Sequence, residues 1–451
     1  MGEFAGAYGD CRRAGAMERL FDGIVERQSL VIRKVGGGRR GEISAHRVLS
    51  SPEVTAAQTL ACFGRRTAAA VGGRRIVVAQ DTTEVNFPGR QSRGLGPAGR
   101  AQTPVPGFFI HALVAVDAEA EAVLGLVDAQ IWTRPQDTGT ARRQRRLAEK
   151  ESHRWLAGAA TAAEQMRSAR EVVVVGDRES DIFAVFARRP AGVELLVRAA
   201  QNRALADDGL LFAAPVAWPV LGEHRVLVPP RGPGDRGRTA QVALRAGRVS
   251  LRRPRNGRAE GDPASLELTF VEAIERDPPD GVAALHWRLL TTLAVEDQAA
   301  AAEVVGLYRL RWRIEQTFRM LKSHGLRIEE TQTAEPHRLF NLAALATGAA
   351  VRIIQLVDAR DGSSRPASDV ASEAQITAAT ALCRKLQGAT ARQRNPHPSG
   401  SLAWLSWIIA RLGGWNCYYK PPGPKTMRDG WDRFAAIAEG YQLAHSTTQN
   451  V

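Results

Sequence analysis

One short stretch of the chain contains four polar residues whose types and spacing suit metal and phosphate chemistry. Spacings of three, four and seven residues separate Tyr308, Arg311, Glu315 and Lys322. A helix turns by about 100° per residue and would hold these side chains, with Arg319, within an arc of roughly 80°. A carboxylate flanked by fixed cations suits a metal site that handles phosphates. The alternative for such a charge run is an exposed helix with i,i+4 ion pairs.

Two further carboxylates follow short runs of β-branched residues. The run 76–80 leads into Asp81, and the run 172–176 leads into Asp177. Each run is typical of a buried strand, and α/β sheets place their sites at the carboxyl ends of strands. An aspartate after a strand is also a common turn former or helix N-cap. Three gathered carboxylates repel one another unless a divalent cation neutralises them, and oxygen ligands favour Mg²⁺ or Mn²⁺ over zinc.

The same residues form motifs that resemble a known family. The chain resembles the DDE transposases of bacterial insertion sequences that carry a Tyr-Arg-Glu-Lys signature, a class that includes the cut-and-paste transposase of a composite kanamycin-resistance transposon. The signature is matched in full at 308–322, the first aspartate lies in Gln80-Asp81-Thr82-Thr83, and the second opens the segment 177–181. Sequences of this family are also similar to four further segments: 150–152, 198–203, 413–415 and 421–426.

The resemblance assigns roles to nine residues. It implies that Asp81, Asp177 and Glu315 are catalytic and hold Mg²⁺, for which Mn²⁺ can substitute. It implies that the DNA-binding residues are Tyr308, Arg311, Arg319, Lys322, Arg198 and Trp287. Trp287 corresponds to a tryptophan that stacks on a base flipped out of the duplex. The alternative for Trp287 is a packing residue, since alternation along a strand would place it on one face with Leu285 and Leu289.

The implied function is cut-and-paste transposition of an insertion sequence by metal-dependent strand cleavage, hairpin formation and strand transfer. The alternative is a transposase-derived DNA-binding regulator that does not cut. The implied partners are the terminal inverted repeats of the element, target DNA and a second copy of the chain in a homodimeric synaptic complex. We expect the protein in the bacterial cytoplasm, associated with the nucleoid.

Composition agrees with a nucleic-acid partner. The formal net charge of +14 and a pI near 10.4 fit binding to a polyanion. The chain contains no run of about 18 apolar residues and no signal-peptide core, so we expect no membrane contact. The chain has four widely spaced cysteines, Cys11, Cys62, Cys383 and Cys417, and no CxxC pair. Neither a zinc finger nor a disulfide scaffold is therefore indicated.

The predicted fold class is α/β, with an RNase H-like catalytic core, a β-rich insertion and helical terminal domains. The expected domains are a DNA-binding domain at 1–65, the two parts of the core at 66–204 and 284–365, the insertion at 205–283 and a dimerisation region at 366–451. In the core we expect strands at 108–116, 123–132 and 193–197, with helices at about 148–169 and 181–188.

The insertion, the C-terminal apolar stripe and the N-terminal cations each lead to an expectation about a surface. In the insertion, strands at 241–244 and 249–251 are expected to turn at Ala246-Gly247. The arginines near this hairpin either protect an edge strand or contact DNA: Arg245, Arg248, Arg252, Arg253, Arg255 and Arg258. The apolar helical stripe 402–412 is either intramolecular core or a dimer seam. In the N-terminal region, phosphate contacts are expected from Arg33, Lys34, Arg39, Arg40 and Arg47.

Overall fold

The computed structural model describes residues 3–89, 94–100, 103–135, 151–228, 237–254, 261–323, 325–333, 335–359, 365–418 and 421–448. Its helices are α1 (Cys11–Arg27), α2 (Ile32–Val35), α3 (Arg39–Leu49), α4 (Ala56–Ala70), α5 (His153–Gln165), α6 (Phe183–Ala187), α7 (Gln298–Arg309), α8 (Trp312–Lys322), α9 (Pro336–Asp358), α10 (Glu373–Leu386), α11 (Leu402–Leu412) and α12 (Pro424–Thr448). Its strands are β1 (Arg75–Asn86), β2 (Pro97–Arg100), β3 (Thr103–Asp117), β4 (Val123–Trp132), β5 (Glu171–Gly176), β6 (Glu194–Arg198), β7 (Gly222–Val228), β8 (Arg238–Arg252), β9 (Ser265–Glu275) and β10 (His286–Thr291).

All ten of these strands belong to one mixed sheet. Its order is β2-β3-β1-β5-β6-β10-β9-β8-β7, and β4 pairs with β3 outside this path. Strands β1, β5 and β6 run parallel, whereas β1, β3 and β4 are joined by antiparallel ladders. The parallel strands are buried because helices cover both faces, as their continuous Val- and Leu-rich runs require. The α/β class expected from the sequence is therefore found.

The elements of the core follow the expected order. Strands β3 and β4 cover the predicted segments 108–116 and 123–132, and β6 covers most of 193–197. The helix expected at 148–169 is shorter, because α5 begins only at His153, although residues 148–150 lie outside the described part of the chain. The helix expected from 181 begins at Phe183 and ends at Ala187.

The predicted insertion extends the central sheet. Its strands β7, β8 and β9 join the core through β10, which pairs with β6. The expected turn at Ala246-Gly247 is wrong, because β8 continues unbroken through both residues. A Cβ at Gly247 would lie 2.5 Å from the indole of Trp218, so the glycine makes room for a packed ring instead of forming a turn.

The insertion arginines lie beyond the part of β8 that pairs with β7. Strand β7 pairs with β8 only as far as Leu244, whereas β9 pairs with β8 as far as Arg252. Arg245 and Arg252 form ion pairs with Glu272 and Asp208, whereas Arg248 is exposed. Arg255 and Arg258 lie outside the described residues. Protection of an edge strand and contact with DNA therefore both stay predictions for this cluster.

The N-terminal helices pack directly on the core, and α4 crosses the predicted boundary at residue 65. Side chains from α1, α3 and α4 share one continuous apolar cluster with α9 and β4. Polar contacts join the same elements, since the Asn341 amide donates hydrogen bonds to the carbonyls of Leu49 (3.0 Å) and Val54 (2.8 Å). The predicted domain boundary thus does not coincide with a break in packing.

The C-terminal apolar stripe is intramolecular. In α11, Leu402, Leu405, Ile408 and Ile409 are at most 1% exposed. The Ser406 hydroxyl donates a hydrogen bond to the carbonyl of Leu356 in α9 at 2.9 Å. This side of α11 is consequently covered by the chain itself and cannot be a dimer seam.

Helix α9 is the central helix of the molecule. It is long and apolar enough to cross a membrane by length and composition, although no apolar run of this length was expected from the sequence. Most of its apolar window is buried by other parts of the chain, as expected of the core helix of a folded domain.

Candidate active site

Asp81 lies within strand β1 and not at its end. The parallel pairing of β1 with β5 stops at Ala79 and Val175, while β1 continues beside β3 to Asn86. Asp81 therefore stands just past the last parallel pair. Its side chain is 17% exposed, and its Oδ1 accepts a hydrogen bond from the backbone N–H of Thr82 at 2.7 Å.

Asp177 follows β5 directly, as predicted, and caps a 3-10 turn at Arg178–Ser180. Its Oδ1 accepts a hydrogen bond from the backbone N–H of Glu179 at 2.8 Å. The tight turn depends on Gly176, because a Cβ there would lie 2.2 Å from the Ser180 hydroxyl. Local packing thereby orients Asp177 at the carboxyl end of its strand.

The signature stretch is two helices and not one. Helix α7 ends at Arg309, and α8 begins at Trp312. Between them the backbone N–H of Arg311 bonds to the carbonyl of Tyr308 at 3.1 Å, an i,i+3 contact typical of a 3-10 turn. Residues three apart eclipse in such a turn, which brings the Arg311 guanidinium to 5.9 Å from the Tyr308 ring centroid. Glu315 lies in the first turn of α8, where the helix dipole favours an anion.

Arg311 bridges two of the predicted catalytic carboxylates. Its guanidinium donates hydrogen bonds to Asp81 Oδ2 at 3.0 Å and to a Glu315 carboxylate oxygen. Burial, followed by the negative charge of Asp177, raises the pKa of Asp81 to about 7, although Arg311 acts in the opposite direction. Burial alone lowers the pKa of Arg311, but interactions with Tyr308, Glu315 and Asp81 outweigh it and raise that pKa.

The donor chemistry of these carboxylates fits a hard divalent cation. The side chains of Asp81, Asp177 and Glu315 offer oxygen ligands only, which suits Mg²⁺ or Mn²⁺. Among the residues that the structure describes, no three acidic, histidine or cysteine side chains already form a group that could hold a metal. For Asp81 and Glu315 to share a cation, the Arg311 guanidinium must leave the space between them.

Arg198, Trp287 and Tyr308 lie together at the same edge of the sheet. Because β10 is antiparallel to β6, its first residues stand beside the carboxyl end of β6, near that of β5. Arg198 donates a hydrogen bond to the His286 carbonyl at 3.2 Å, and the Trp287 and Tyr308 rings meet edge to face at 5.2 Å. Burial raises the pKa of Tyr308, which is only 4% exposed and interacts with Arg198 and Arg311.

The last two signature cations lie farther from the carboxylates. The Lys322 ammonium donates a hydrogen bond to the Glu84 carbonyl at 2.6 Å and pairs with Glu329 at 3.1 Å. Arg319 is exposed and lies 4.6 Å above the Trp312 ring. The structure gives neither residue a described contact with the three predicted catalytic side chains.

Sequence reasoning missed a polar network beside Asp81. Thr82, His111 and Arg154 are joined by side-chain hydrogen bonds within this network. Thr82 is part of the motif at 80–83, and Arg154 lies two residues beyond the segment 150–152 that resembles the family. His111 had no local signal, since only the pairing of β1 with β3 places it opposite Thr82.

The α/β sheet therefore brings two aspartates near a helix-borne glutamate and half-buried arginines. The family described as the transposase DDE domain matches residues 72–352, from the start of the sheet into α9. The chain belongs to this family, and it is therefore a transposase that acts on DNA.

Proposed function

We propose that this transposase moves an insertion sequence by cut-and-paste transposition, with Asp81, Asp177 and Glu315 as the catalytic triad. The proposal rests on one observation: the guanidinium of Arg311 donates hydrogen bonds to both Asp81 and Glu315. The negative charge of Asp177 is also close enough to raise the pKa of Asp81. The order of strands around β1 supports an RNase H-like core. The Tyr-Arg-Glu-Lys signature supports the finer class.

The three carboxylates would hold Mg²⁺, for which Mn²⁺ can substitute. When bound, the cations activate the attacking oxygen and stabilise the leaving 3′ oxygen. Arg311 is placed to exchange its two carboxylate partners for a DNA phosphate as the cations bind. The Tyr308 hydroxyl interacts with both Arg311 and Arg198 and so links the two guanidinium groups.

The reaction begins with attack of water on the phosphate at the transposon end, which frees a 3′ hydroxyl. That hydroxyl then attacks the opposite strand to form a hairpin and, after the hairpin opens, attacks target DNA. Each step is an in-line displacement at phosphorus, so the same three carboxylates serve all of them. Trp287 lies beside this site, partly exposed, where it could receive a flipped base.

DNA binding is proposed for two basic surfaces. The insertion presents Arg248 on β8, and the N-terminal helices expose a cluster of cations, namely Arg33, Lys34, Arg39, Arg40 and Arg47. Phosphate contacts by such residues give affinity without sequence information. A homodimer in the synaptic complex remains part of the proposal, through a surface other than the buried stripe of α11.

A non-cutting regulator derived from a transposase is the competing function. We expect the purified protein to nick and then hairpin a DNA duplex that carries the inverted repeats flanking its own gene, in Mg²⁺ or Mn²⁺ but not in EDTA. Denaturing gels with end-labelled strands separate the two products. A protein that binds these ends tightly and leaves both strands intact with either cation is the regulator.

Replacing Trp287 with alanine distinguishes base stacking from packing. Stacking acts after the first nick, so Trp287→Ala should spare nicking and slow hairpin formation by about 5–150-fold, from ~1–3 kcal/mol per stacked base. Gels that quantify nicked and hairpin products, with thermal melting of both proteins, measure this. Trp287→Phe should restore much of the hairpin rate, because a ring remains. A packing role for Trp287 would instead give early melting and an equal loss of both products. Truncation would then lower the free energy of unfolding by ~3–5 kcal/mol.

A further inference from the structure

Arg154, in the first turn of α5, makes three hydrogen bonds with its guanidinium. Nε donates to the Thr82 hydroxyl, Nη1 to the Glu151 carbonyl and Nη2 to a Glu179 carboxylate oxygen, each at 2.8 Å. Its side chain is 11% exposed and lies near the ring of Trp155. A planar guanidinium held at three points has one orientation, which a flexible ammonium cannot reproduce.

The partners of Arg154 are the residues that orient the two aspartates. Thr82 donates its backbone N–H to Asp81 Oδ1, and Glu179 donates its backbone N–H to Asp177 Oδ1. Both aspartates are thus connected to one guanidinium through a single intervening residue. No local sequence pattern links them, because Arg154 comes from a helix and its two partners follow different strands.

The direction of the hydrogen bonds in this network follows from its chemistry. Arginine can only donate, so the Thr82 hydroxyl accepts from Arg154 and directs its own proton to His111 Nδ1, 2.9 Å away. His111 then carries its proton on Nε2, 3.3 Å from the Gln80 side-chain oxygen. Burial, with the nearby charge of Arg154, lowers the pKa of His111 to about 3 and keeps the ring neutral, as this arrangement requires.

We propose that Arg154 is a positioning residue that fixes the distance between Asp81 and Asp177 and so sets the affinity of the site for divalent cations. The inference rests on the proposed triad but concerns cation binding, which is measurable without cleavage. Residues that orient metal ligands typically change metal affinity or activity by about 10–100-fold when replaced. Arg154 acts on the cation only through Thr82 and Glu179.

The test is Mn²⁺ affinity, measured by electron paramagnetic resonance on the full chain bound to end DNA. We expect Arg154→Ala and Arg154→Lys to weaken Mn²⁺ binding by about 10–100-fold and to raise the Mg²⁺ concentration for half-maximal cleavage in parallel. Lysine keeps the charge, so a loss in both variants assigns the effect to geometry. Arg170→Ala is the matched control, because Arg170 forms an exposed pair with Glu119.

A second variant, Glu179→Ala, tests the proposal even if Arg154→Ala fails to fold. The Glu179 side chain is 65% exposed, so Glu179→Ala cuts the branch to Asp177 without removing a buried side chain. It should weaken Mn²⁺ binding in the same direction while melting and DNA affinity stay near the parent values. Unchanged Mn²⁺ affinity in Glu179→Ala and Arg154→Ala overturns the proposal, as does a loss of DNA affinity that accounts for the whole effect. A parent protein that binds Mn²⁺ but never cuts DNA refutes the proposed function and leaves the role of Arg154 intact.

Discussion

Alanine at Asp81, Asp177 or Glu315 is expected to lower strand cleavage by about 10³-fold or more, which corresponds to ~4 kcal/mol of transition-state stabilisation. The carboxylates act on the reacting phosphate through bound cations, whereas affinity for DNA comes from the basic surfaces. Removing Asp81 or Glu315 also leaves Arg311 paired with only one of these two carboxylates. Affinity for end DNA should therefore stay equal or increase, since a negative charge near the phosphate is lost.

The measurement pairs a cleavage gel with a binding titration for each variant. Glu119→Ala is a suitable control, because Glu119 is an exposed carboxylate that pairs with Arg170 outside the site. Ca²⁺ should support binding without efficient turnover. A variant that still cleaves at a rate close to that of the parent would remove its residue from the triad. A variant that loses binding and cleavage together would indicate a structural role instead.

Deletion of residues 1–65 is expected to prevent stable folding. The deleted segment contains large side chains that are at most 1% exposed, namely Phe4, Met17, Phe21, Ile24 and Leu49. Each contributes roughly 1.5–3 kcal/mol on burial, so their sum is comparable to the ~5–15 kcal/mol that stabilises a whole domain. The cut also falls inside α4 and uncovers α9, whose apolar surface would then meet water.

Soluble yield and cooperative thermal unfolding, followed by circular dichroism, check this expectation. The matched variant carries alanine at Arg39, Arg40 and Arg47, which are exposed on α3. It should melt like the parent and lose DNA affinity, with the salt dependence of log Kd reduced by roughly one for each lost phosphate contact. A truncated chain that unfolds cooperatively near the parent temperature would show an independent N-terminal domain.

The residue types of the candidate site and the strands beside it could be predicted from the sequence. Asp81 and Asp177 follow β-branched runs, and β1 and β5 form where those runs lie. Such runs are read from neighbouring residues, so no distant contact is needed to predict them. The spacing of Glu315 from Arg311 is also local, and α8 places the two in contact.

Local spacing predicted the secondary structure less well at residues that suit two different conformations or contacts. One regular helix through Tyr308 and Glu315 was the simplest expectation, but the 3-10 turn at Arg311 divides it. Gly247 was expected in a turn, yet it receives the ring of Trp218 from another part of the chain. A glycine satisfies both uses equally well, and only the neighbour in space decides between them.

The tertiary structure alone decided how the polar groups are connected. Arg311 reaches Asp81 from a turn 230 residues farther along the chain. Arg154 joins residues next to two aspartates that belong to different strand segments. The burial of the N-terminal helices and of α11 against α9 was likewise invisible in their amphipathic patterns. A pattern states that a face is apolar but does not name the surface that covers it, because that surface is assembled only when distant segments pack together.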